Sequence, residues 1–491
     1  MKIPKKFSSK NAPFRYAEVG DKILVTNDVG AWIFLSPEDF ERFVNGRIEP
    51  SDALFDDLTG RHFILTDLTV DQLTKSYKEK NHFLFNGPYL HIAIVTLRCN
   101  EVCVYCHASR RNMDEMSFDM TEDTARQVVD MAFETPSPQI ILEFQGGEPL
   151  ANWDVVRFIV EYAVEKNKTA GKDLAFSLVS NLSLMNDERL SYLVENNVQI
   201  CTSVDGPQDL HDSNRKLVGG SAYEQAVHWM KRIDEAYTER GLEPDLYHVE
   251  SLLTTTRASL GRAKDVVDEY VSLGRKALFL RPLNPFGFAK TTFDQIGYTT
   301  DDFLAFYKEA VDYMIELNRQ GVEILERNAA IFLTKMLTTS DPNYLDMRSP
   351  CGAGIGQIAY NFNGSLFTCD EGRMVAQMGD DIFQIGKLGE STYEQVVQHD
   401  AVKACAVASC LDGLPGCMDC VFKPYCGVCP VYNYGEQGSI FGQMPTNERC
   451  KLYYGIQTYL FEWLQRDDQE VLDIFTKWTI VRDRTEFFIH E

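Results

Sequence analysis

The stretch Cys99-Asn-Glu-Val-Cys103-Val-Tyr-Cys106 decides the fold of this chain. Its three cysteines have the spacing C-x3-C-x2-C, and they follow an apolar run, residues 90–97, that predicts a buried strand. The cysteines therefore lie on the loop that leaves the carboxyl end of this strand. Cysteine thiolates hold iron–sulfur clusters, and three of them leave one iron of a four-iron cluster open to a small ligand. Three close cysteines with a distant fourth also suit zinc, so a zinc site is the alternative.

The composition suits a cytoplasmic protein of several domains. A chain of 491 residues is expected to form two or three domains, and 44% hydrophobic residues suit a folded core. The net charge of −24, from 72 acidic against 48 basic residues, argues against a nucleic-acid partner. We expect no membrane span and no secretory signal, because no stretch has the apolarity that either needs. In such a chain, 13 cysteines indicate metal binding or catalysis rather than disulfides.

Residues 1–70 are expected to form a small separate unit. Three short apolar runs, residues 14–19, 22–26 and 31–35, are separated by glycine-containing turn signals and predict strands. Ser36-Pro37 then predicts a helix that begins with an N-cap serine and a proline at its first position. A second short helix is expected near residues 51–58, and the polar residues 71–88 are expected to form a linker.

Strand-like and helical stretches alternate from residue 89 to about residue 320. The predicted strands are residues 90–96, 139–144, 174–180, 198–204, 248–254 and 277–282. Six such units predict an α/β fold with a parallel sheet and right-handed crossovers, and they are too few for a closed eight-stranded barrel. In parallel folds of this kind, ligands bind at the carboxyl ends of the strands.

Glycine and polar residues follow three of these strands, where such a site would lie. They are Gly146, Gly147, Glu148 and Pro149 after the second strand, Ser180 and Asn181 after the third, and Ser203, Asp205 and then Arg215 after the fourth. Two adjacent glycines let a ligand approach the backbone, and the carboxylate of Glu148 then suits a cationic group. Arg215 suits a carboxylate, with a structural salt bridge as the alternative.

A second group of cysteines lies in the last third of the chain. Nine of the 13 cysteines fall between residues 351 and 450. Their pattern contains Cys351-x12-Gly364-x4-Cys369, then Cys417-x2-Cys420-x5-Cys426-x2-Cys429, and finally Cys450. Zinc ribbons also use repeated C-x2-C pairs, but they explain neither the Gly364-x4-Cys369 segment nor the cysteines near residue 100. The chain therefore has two cysteine-bearing modules.

These motifs resemble the radical S-adenosylmethionine (SAM) superfamily with its SPASM extension. The resemblance covers residues 89–455 and rests on the first cysteine triad, the Gly-Gly-Glu-Pro motif and seven cysteines of the second module. It implies a partial (β/α)6 barrel over residues 89–320, a C-terminal cysteine-rich SPASM domain over residues 321–455 and a helical segment over residues 456–491. It also implies SAM and three 4Fe–4S clusters as cofactors, one of which is held by Cys99, Cys103 and Cys106 and binds SAM. The SAM contacts implied in this way are Gly146, Gly147, Glu148, Pro149, Ser180, Asn181, Ser203, Asp205 and Arg215.

The resemblance also assigns the ligands of two auxiliary clusters. Cys351, Cys369 and Cys429 would hold the first cluster, and Cys417, Cys420, Cys426 and Cys450 would hold the second. The family usually has three residues before the last cysteine of its run, whereas two separate Cys426 from Cys429 here. The first cluster is expected to keep an open iron; the alternative is closure by Cys410, which we favour over Cys405. Asp370 is the implied general base, with a solvated acid as the alternative.

The function implied is that of a radical SAM/SPASM peptide maturase. The segment around Tyr425-Cys-Gly-Val-Cys429 resembles the maturases of His-Xaa-Ser peptide systems, which form cyclophane crosslinks after hydrogen abstraction by a 5′-deoxyadenosyl radical. The N-terminal unit resembles the winged-helix elements that bind leader peptides. The implied partners are a precursor peptide with a leader and an electron donor such as flavodoxin or ferredoxin. Rival functions are a thioether-forming maturase, an anaerobic sulfatase-maturating oxidase and a zinc-binding protein without enzyme activity.

Overall fold

The computed structural model describes residues 8–66, 69–342 and 344–480. The predicted N-terminal unit is described without residues 1–7 and 67–68, and the predicted C-terminal helical segment is described without residues 481–491. Within the described part of the chain, no helix has the length and apolarity that a membrane crossing requires.

The described strands are β1 Arg15–Val19, β2 Lys22–Thr26, β3 Trp32–Leu35, β4 Leu90–Thr96, β5 Glu101–Cys103, β6 Gln139–Gly146, β7 Asp173–Val179, β8 Val198–Ser203, β9 Arg215–Leu217, β10 Glu250–Thr254, β11 Ala277–Leu278, β12 Leu280–Arg281, β13 Leu325–Glu326, β14 Gln357–Tyr360, β15 Ser365–Phe367 and β16 Gln384–Lys387.

The described α-helices are α1 Pro37–Val44, α2 Ala53–Gly60, α3 Thr69–Lys80, α4 Glu122–Phe133, α5 Trp153–Ala170, α6 Asp187–Glu195, α7 Gln208–Asn214, α8 Ala222–Glu239, α9 Ala263–Ser272, α10 Phe288–Ile296, α11 Thr300–Arg319, α12 Arg327–Leu337, α13 Asp370–Gln377, α14 Tyr393–Val397, α15 Asp400–Ala408, α16 Pro430–Gln437, α17 Glu448–Gln465 and α18 Gln469–Trp478.

The N-terminal residues form an antiparallel sheet in the order β1-β2-β3, followed by α1 and α2. The predicted start of α1 is confirmed, because the side chain of Ser36 accepts a hydrogen bond from the Asp39 amide at 3.1 Å and Pro37 occupies the first position. A small apolar core under the sheet includes Phe40 and Phe43 of α1. The sheet also packs against the rest of the chain, since the Trp32 ring meets Phe461 of α17 at 5.5 Å between centroids.

The central sheet has nine strands in the order β12-β10-β8-β7-β6-β4-β14-β15-β16. Six of them, from β12 to β4, are parallel neighbours and correspond to the six predicted strands, with the last divided into β11 and β12. Helices such as α4, α5 and α8 pack over the outer side, where they share a core with the buried side chains of the strands. The predicted α/β class and six-unit sheet are confirmed.

The sheet does not stop where the SPASM region was predicted to begin as a separate domain. β14 pairs in parallel with β4, with Gln357 opposite Leu90 and Tyr360 opposite Ala93. β15 and β16 then add as antiparallel strands. The first part of the second cysteine module is therefore hydrogen-bonded to the first strand of the six-stranded unit, and one mixed sheet joins the two.

The two cysteine modules lie toward opposite ends of β4. Cys99 follows the carboxyl end of β4, as predicted. Cys369 follows β15, which runs antiparallel to β14, so the chain has returned toward the amino end of β4 when it reaches this residue. At about 3.3 Å per residue, the seven residues of β4 separate these levels by about 20 Å. Our expectation that the chemistry lies at the carboxyl ends is thus incomplete.

Helix α13 connects these two levels. Its N-cap residue is Cys369, and the residue after its last turn, Met378, accepts a hydrogen bond from the Gly287 amide through its sulfur at 3.3 Å. The next amide, that of Phe288, donates to the Cys106 carbonyl at 2.9 Å. Eight helical residues span about 12 Å, so a single short helix links the two cysteine modules.

Candidate functional site

The first cysteine loop is held by a two-stranded pairing that local patterns did not predict. β5 and β9 are antiparallel, and they place Cys103 directly opposite Arg215. The Arg215 guanidinium lies 3.8 Å from Cys103 Sγ, and Asn181 Nδ2 lies 3.8 Å from Cys99 Sγ. Burial raises the pKa of both thiols, and the neighbouring thiolates raise it further. A metal centre must therefore displace protons from these sulfurs when it binds.

Asp205 joins Arg215 to the cysteine loop. Its carboxylate accepts hydrogen bonds from the Tyr105 hydroxyl at 2.5 Å, from Arg215 Nε at 3.3 Å and from the Thr254 amide at 3.3 Å. Asp205 is fully buried, and Arg215 also lies 3.8 Å from Glu101. The structure therefore presents Arg215 in the structural salt bridge that was the alternative, and both residues position the loop. Direct contact of either with a ligand stays a prediction.

The two glycines after β6 are required by close packing of the backbone. A Cβ atom on Gly146, which has φ +142°, would lie 2.0 Å from the Thr96 carbonyl oxygen, and one on Gly147 would lie 2.3 Å from that of Arg98. These glycines therefore allow the end of β6 to pack against the backbone that follows β4, beside the cysteine loop. Their predicted contact with a ligand stays a prediction.

Glu148 is fully buried beside the first cysteine loop. Its oxygens accept hydrogen bonds from the Ser180 hydroxyl at 2.7 Å and from the amides of Asn181 at 2.8 Å and Leu150 at 3.0 Å. Burial raises its pKa, and these three donors oppose the rise. The predicted residues after β6 and β7 therefore meet in one network. Pro149 is buried beside them, and Ser203 is half-buried at the end of β8; their contacts with a cofactor stay predictions.

The second cysteine module divides into two sites, and the first contains an unexpected member. Cys351, Cys369 and Cys429 share one buried apolar cluster, and Cys405 lies in the same cluster with 1% of its surface exposed. Cys410 is half-buried, and its electrostatic neighbour is Tyr77 of α3. The apolar cluster thus contains Cys405 and not Cys410, which was our preferred additional ligand.

Helix N-termini favour thiolates at this first site. Cys369 is the N-cap of α13, and its sulfur accepts from the Gly372 amide at 3.3 Å. Cys429 is the N-cap of α16, and its sulfur accepts from the Tyr432 amide at 3.4 Å. Burial raises the pKa of both thiols, and the positive ends of the two helix dipoles oppose this rise by stabilising negative charge on the sulfurs.

The other four cysteines surround a cavity. Cys417, Cys420, Cys426 and Cys450 all line it, together with Met444 and Tyr454, and Cys429 of the first site also reaches this cavity. The four cysteines predicted to hold the second auxiliary cluster therefore lie around one cavity, and their role as ligands stays a prediction. The shortened spacing between Cys426 and Cys429 is accommodated at Gly427, where a Cβ atom would lie 2.2 Å from the Asp346 carbonyl oxygen.

The cysteine arrangement fits clusters better than single ions. Among the residues that the structure describes, no group of three or more His, Cys, Asp or Glu side chains is arranged to hold one metal ion. A four-iron cluster takes one thiolate per iron, so its ligands stand farther apart than those of a single zinc ion. Four thiols around one cavity supply the donor set that such a cluster uses.

Asp370 follows the first of these sites but is not the solvated acid considered as the alternative. Its carboxylate accepts from Arg373 Nε at 2.7 Å, and it is 8% exposed. Its charge also acts on Glu143 of β6, whose pKa is raised mainly by burial and additionally by Asp370. Asp370 is therefore an electrostatic neighbour of Glu143.

Glu143 is a polar residue of the inner side that sequence analysis missed. In β6 the apolar residues Leu142 and Phe144 are buried on the outer side, and Glu143 and Gln145 alternate with them. Glu143 accepts a hydrogen bond from Gln145 and is influenced by the charge of Arg281 in β12. The signal was present, since two polar residues two positions apart within a buried strand must face a common polar space.

Comparison with known proteins assigns the class of this chain. Residues 93–247 match the family model of the Radical SAM superfamily. The matched segment begins in β4 and contains both the cysteine triad and the Gly-Gly-Glu-Pro motif. Residues 93–247 therefore form a radical SAM domain, and the chain is an enzyme.

Relatives extend the similarity beyond this domain. The chain is 22% identical over 336 residues to the cysteine-type anaerobic sulfatase-maturating enzyme of Clostridium novyi, which covers 67% of this chain and 83% of that enzyme. It is 30% identical over 112 residues, 23% of this chain, to an uncharacterised protein of Methanocaldococcus jannaschii, and it spans only 37% of that protein.

Two solved structures share the fold. The structure of anSMEcpe with bound AdoMet aligns with a TM-score of 0.63 at 19% identity, over 78% of this chain and 100% of that one. Streptococcus suis SuiB aligns with a TM-score of 0.51 at 14% identity, over 89% of this chain and 98% of that one. Similarity at these identities concerns the fold alone.

Proposed function

We propose that this enzyme modifies a ribosomally made precursor peptide in the cytoplasm, by forming a crosslink between two side chains, specifically a cyclophane carbon–carbon bond. One observation carries the proposal: two neighbouring acidic side chains, Glu143 and Asp370, lie beside the buried cysteines of the second module, whereas the half-buried cysteines of the first loop follow the opposite end of β4. An oxidative crosslink needs one centre that starts the reaction and one that removes an electron, on either side of the substrate.

The residues that would hold the cofactors follow from this arrangement. Cys99, Cys103 and Cys106 would hold the cluster that binds SAM, beside the network of Glu148 and Asn181. The two sites of the second module would hold one auxiliary 4Fe–4S cluster each, in a SPASM region. When bound, SAM and its cluster supply the radical that removes a hydrogen atom from a substrate carbon, and a flavodoxin or ferredoxin would supply the electron.

The side chains of the interior would orient the peptide and manage the remaining proton. Arg281 and Glu143 offer opposite charges to polar groups of a bound peptide. After ring attack, the new bond is complete when a proton leaves the ring and an electron leaves toward the auxiliary cluster. Asp370 lies beside Cys369 and would take that proton, at the cost of its pairing with Arg373.

The open edge of β3 supports a role for the N-terminal unit in leader recognition, through a winged-helix-like unit. Among the described residues β3 pairs only with β2, and SuiB, which shares the fold, has been solved bound to its precursor peptide SuiA. A cavity of about 280 Å³ follows this edge and is lined by Trp32, Phe34, Arg61 and Trp463. A leader would add there as a further strand.

A sulfatase-maturating activity is the second candidate, because the similarity to the Clostridium novyi enzyme covers 83% of that protein. A thioether-forming maturase is a variant of the main proposal that requires a substrate cysteine. A zinc-binding protein without enzyme activity is set aside, because the chain carries a radical SAM domain.

The proposal is tested with anaerobically reconstituted enzyme and SAM. We expect about twelve irons per chain and formation of 5′-deoxyadenosine. The variant in which Cys99, Cys103 and Cys106 are all replaced by alanine should lose this product but keep its auxiliary clusters. With precursor peptides encoded beside the gene, the product should have lost a pair of hydrogen atoms and should yield a crosslinked fragment. Conversion of a sulfatase peptide instead would favour the second candidate.

A further inference from the structure

We propose that Cys405 is the fourth ligand of the auxiliary cluster held by Cys351, Cys369 and Cys429, so that this cluster is fully ligated by protein. The proposal rests on the proposed function, since it takes a cluster at this site as given. It replaces our expectation of an open iron there, and it assigns a ligand that lies outside the regular cysteine pattern.

The first observation is the common burial of the four sulfurs. Cys351, Cys369, Cys405 and Cys429 are 4%, 3%, 1% and 6% exposed, and they belong to one apolar cluster whose other members include Phe286, Val375 and Phe383. A thiol fully enclosed with three candidate ligands has few other roles. An apolar surrounding also keeps water from reaching the irons, which suits a closed cluster.

The second observation is how firmly α15 is fixed against the loop of Cys351. The Ser409 hydroxyl donates to the Cys405 carbonyl at 2.6 Å and accepts from the Cys351 amide at 2.9 Å, so one side chain links the two cysteines. On the same face, a Cβ atom on Gly354 would lie 2.5 Å from Val402 of α15. The backbone at Gly354 therefore packs directly against a side chain of α15.

The third observation places Cys405 beside Cys369 as well. The Thr368 hydroxyl interacts with the Cys405 thiol and lies 3.8 Å from Cys369 Sγ. Cys405 thus has one candidate ligand on each side, at Cys351 and at Cys369. On binding, its thiol would release a proton and form a sulfur–iron bond, without any transfer of electrons.

A closed cluster changes what this site does in the reaction. An iron with four-fold sulfur coordination has no position for a peptide amide or side chain. The cluster would therefore accept the electron across a gap, and the substrate would be held by the interior side chains alone. Replacing a thiolate with a neutral ligand removes negative charge, so loss of Cys405 should move the reduction potential to a more positive value.

The test uses the full chain with Cys99, Cys103 and Cys106 replaced by alanine, so that the SAM cluster contributes no signal. Cys405→Ala in this background should lose about one iron per chain on mild oxidation and give the electron paramagnetic resonance signal of a three-iron cluster. Cys410→Ala is the matched control and should do neither. An unchanged iron content, spectrum and potential in Cys405→Ala would overturn the proposal.

A second measurement avoids dependence on a variant that folds poorly. Cyanide added to the background protein itself binds an open iron and alters the spectrum of the reduced cluster. We expect no change, and a shifted spectrum would show the open iron that our proposal denies. If the background protein binds no iron and sulfide at all, both the auxiliary clusters of the proposed function and this inference fail. If the clusters bind but Cys405→Ala changes neither iron content nor spectrum, this inference alone fails.

Discussion

Arg373 Nε donates to Asp370 Oδ1 at 2.7 Å, and the Arg373 side chain is 1% exposed. The residue implied as a general base is therefore one half of a buried ion pair at the start of α13. The two charges stabilise each other within one helical turn, directly after Cys369. Proton uptake by Asp370 would leave the Arg373 charge without this partner, so the chemical and structural roles of the pair have to be separated by experiment.

Asp370→Asn should keep all clusters and SAM cleavage, lose most crosslinked product and lower the melting temperature. The loss of stability corresponds to about 3 kcal/mol, because the substitution leaves a buried charge unpaired. Asp370→Asn combined with Arg373→Met removes both charges and should recover stability. Thermal unfolding under anaerobic conditions measures the change in stability, and mass spectrometry measures the amount of crosslinked product. Recovery of product in the double variant would make the pair structural and refute a base at this position.

Glu326 should make stability depend on pH. It is fully buried at the start of α12, and burial raises its pKa from 4.5 to about 7 although Tyr307 and the Ala329 amide donate to it. An acid with a raised pKa gives its full contribution below the unfolded pKa and loses it as pH rises through the folded value. The melting temperature should therefore fall between about pH 4.5 and 7 for the wild type and less for Glu326→Gln. The exposed Glu394→Gln is the control, and equal slopes in all three proteins would contradict the assignment.

Phe34→Pro should weaken leader binding more than Phe34→Ala. The Asn27 amide donates to the Ala31 carbonyl, and because bonded and non-bonded pairs alternate along antiparallel strands, the backbone groups of Trp32 and Phe34 point away from β2. The donation of Arg61 to the Trp32 carbonyl at 2.8 Å agrees with this direction.

Both substitutions remove the Phe34 ring, but proline also removes the outward N–H that an added strand would use. Loss of one hydrogen bond of about 1 kcal/mol should weaken the proline variant about five-fold relative to the alanine variant, as measured by fluorescence anisotropy of a labelled leader. Equal affinities of the two variants would place the leader elsewhere.

Deletion of residues 1–70 should reduce iron content as well as leader binding. Arg15 Nε donates to the Met418 carbonyl, and Thr26 donates to the Val421 carbonyl at 2.7 Å. These carbonyls flank Cys420, so the N-terminal sheet supports the loop of the second auxiliary cluster. The truncated protein should lose about four irons and retain SAM cleavage at the first cysteine loop. Full iron content in the truncated protein would show that the sheet does not stabilise this cluster.

Local patterns were sufficient for the elements of the six-stranded unit. β4 begins and ends at the predicted residues 90 and 96, because an apolar run bounded by a proline and by the cysteine loop leaves little freedom. Ser36 and Pro37 were also sufficient to place the start of α1. Cysteine spacing identified both modules, since thiols that share a metal centre on one loop must be close in sequence.

Contacts between distant segments were beyond such patterns. The pairing of β14 with β4 and the approach of Cys405 to Cys351 join residues that are far apart in the chain, and neither strand nor helix carries a local mark of its partner. The close approach of the Thr96 carbonyl oxygen to Gly146 was not predicted, because the backbone of a neighbouring strand is visible only in three dimensions. Glu143 was missed although Gln145 lies two positions after it, because the buried apolar residues of β6 dominate the local pattern.

If the enzyme closes a ring as we propose, the separation of the two cysteine modules limits the size of that ring. The modules lie about 20 Å apart along β4, so the substrate segment between the initiating and the accepting centre would span about six residues of extended chain. One sheet joins the supports at both ends, so this distance is set by covalent and hydrogen-bonded geometry rather than by domain motion. Macrocycles should therefore form between residues that are close neighbours in the precursor, and a long core peptide would be processed one short window at a time.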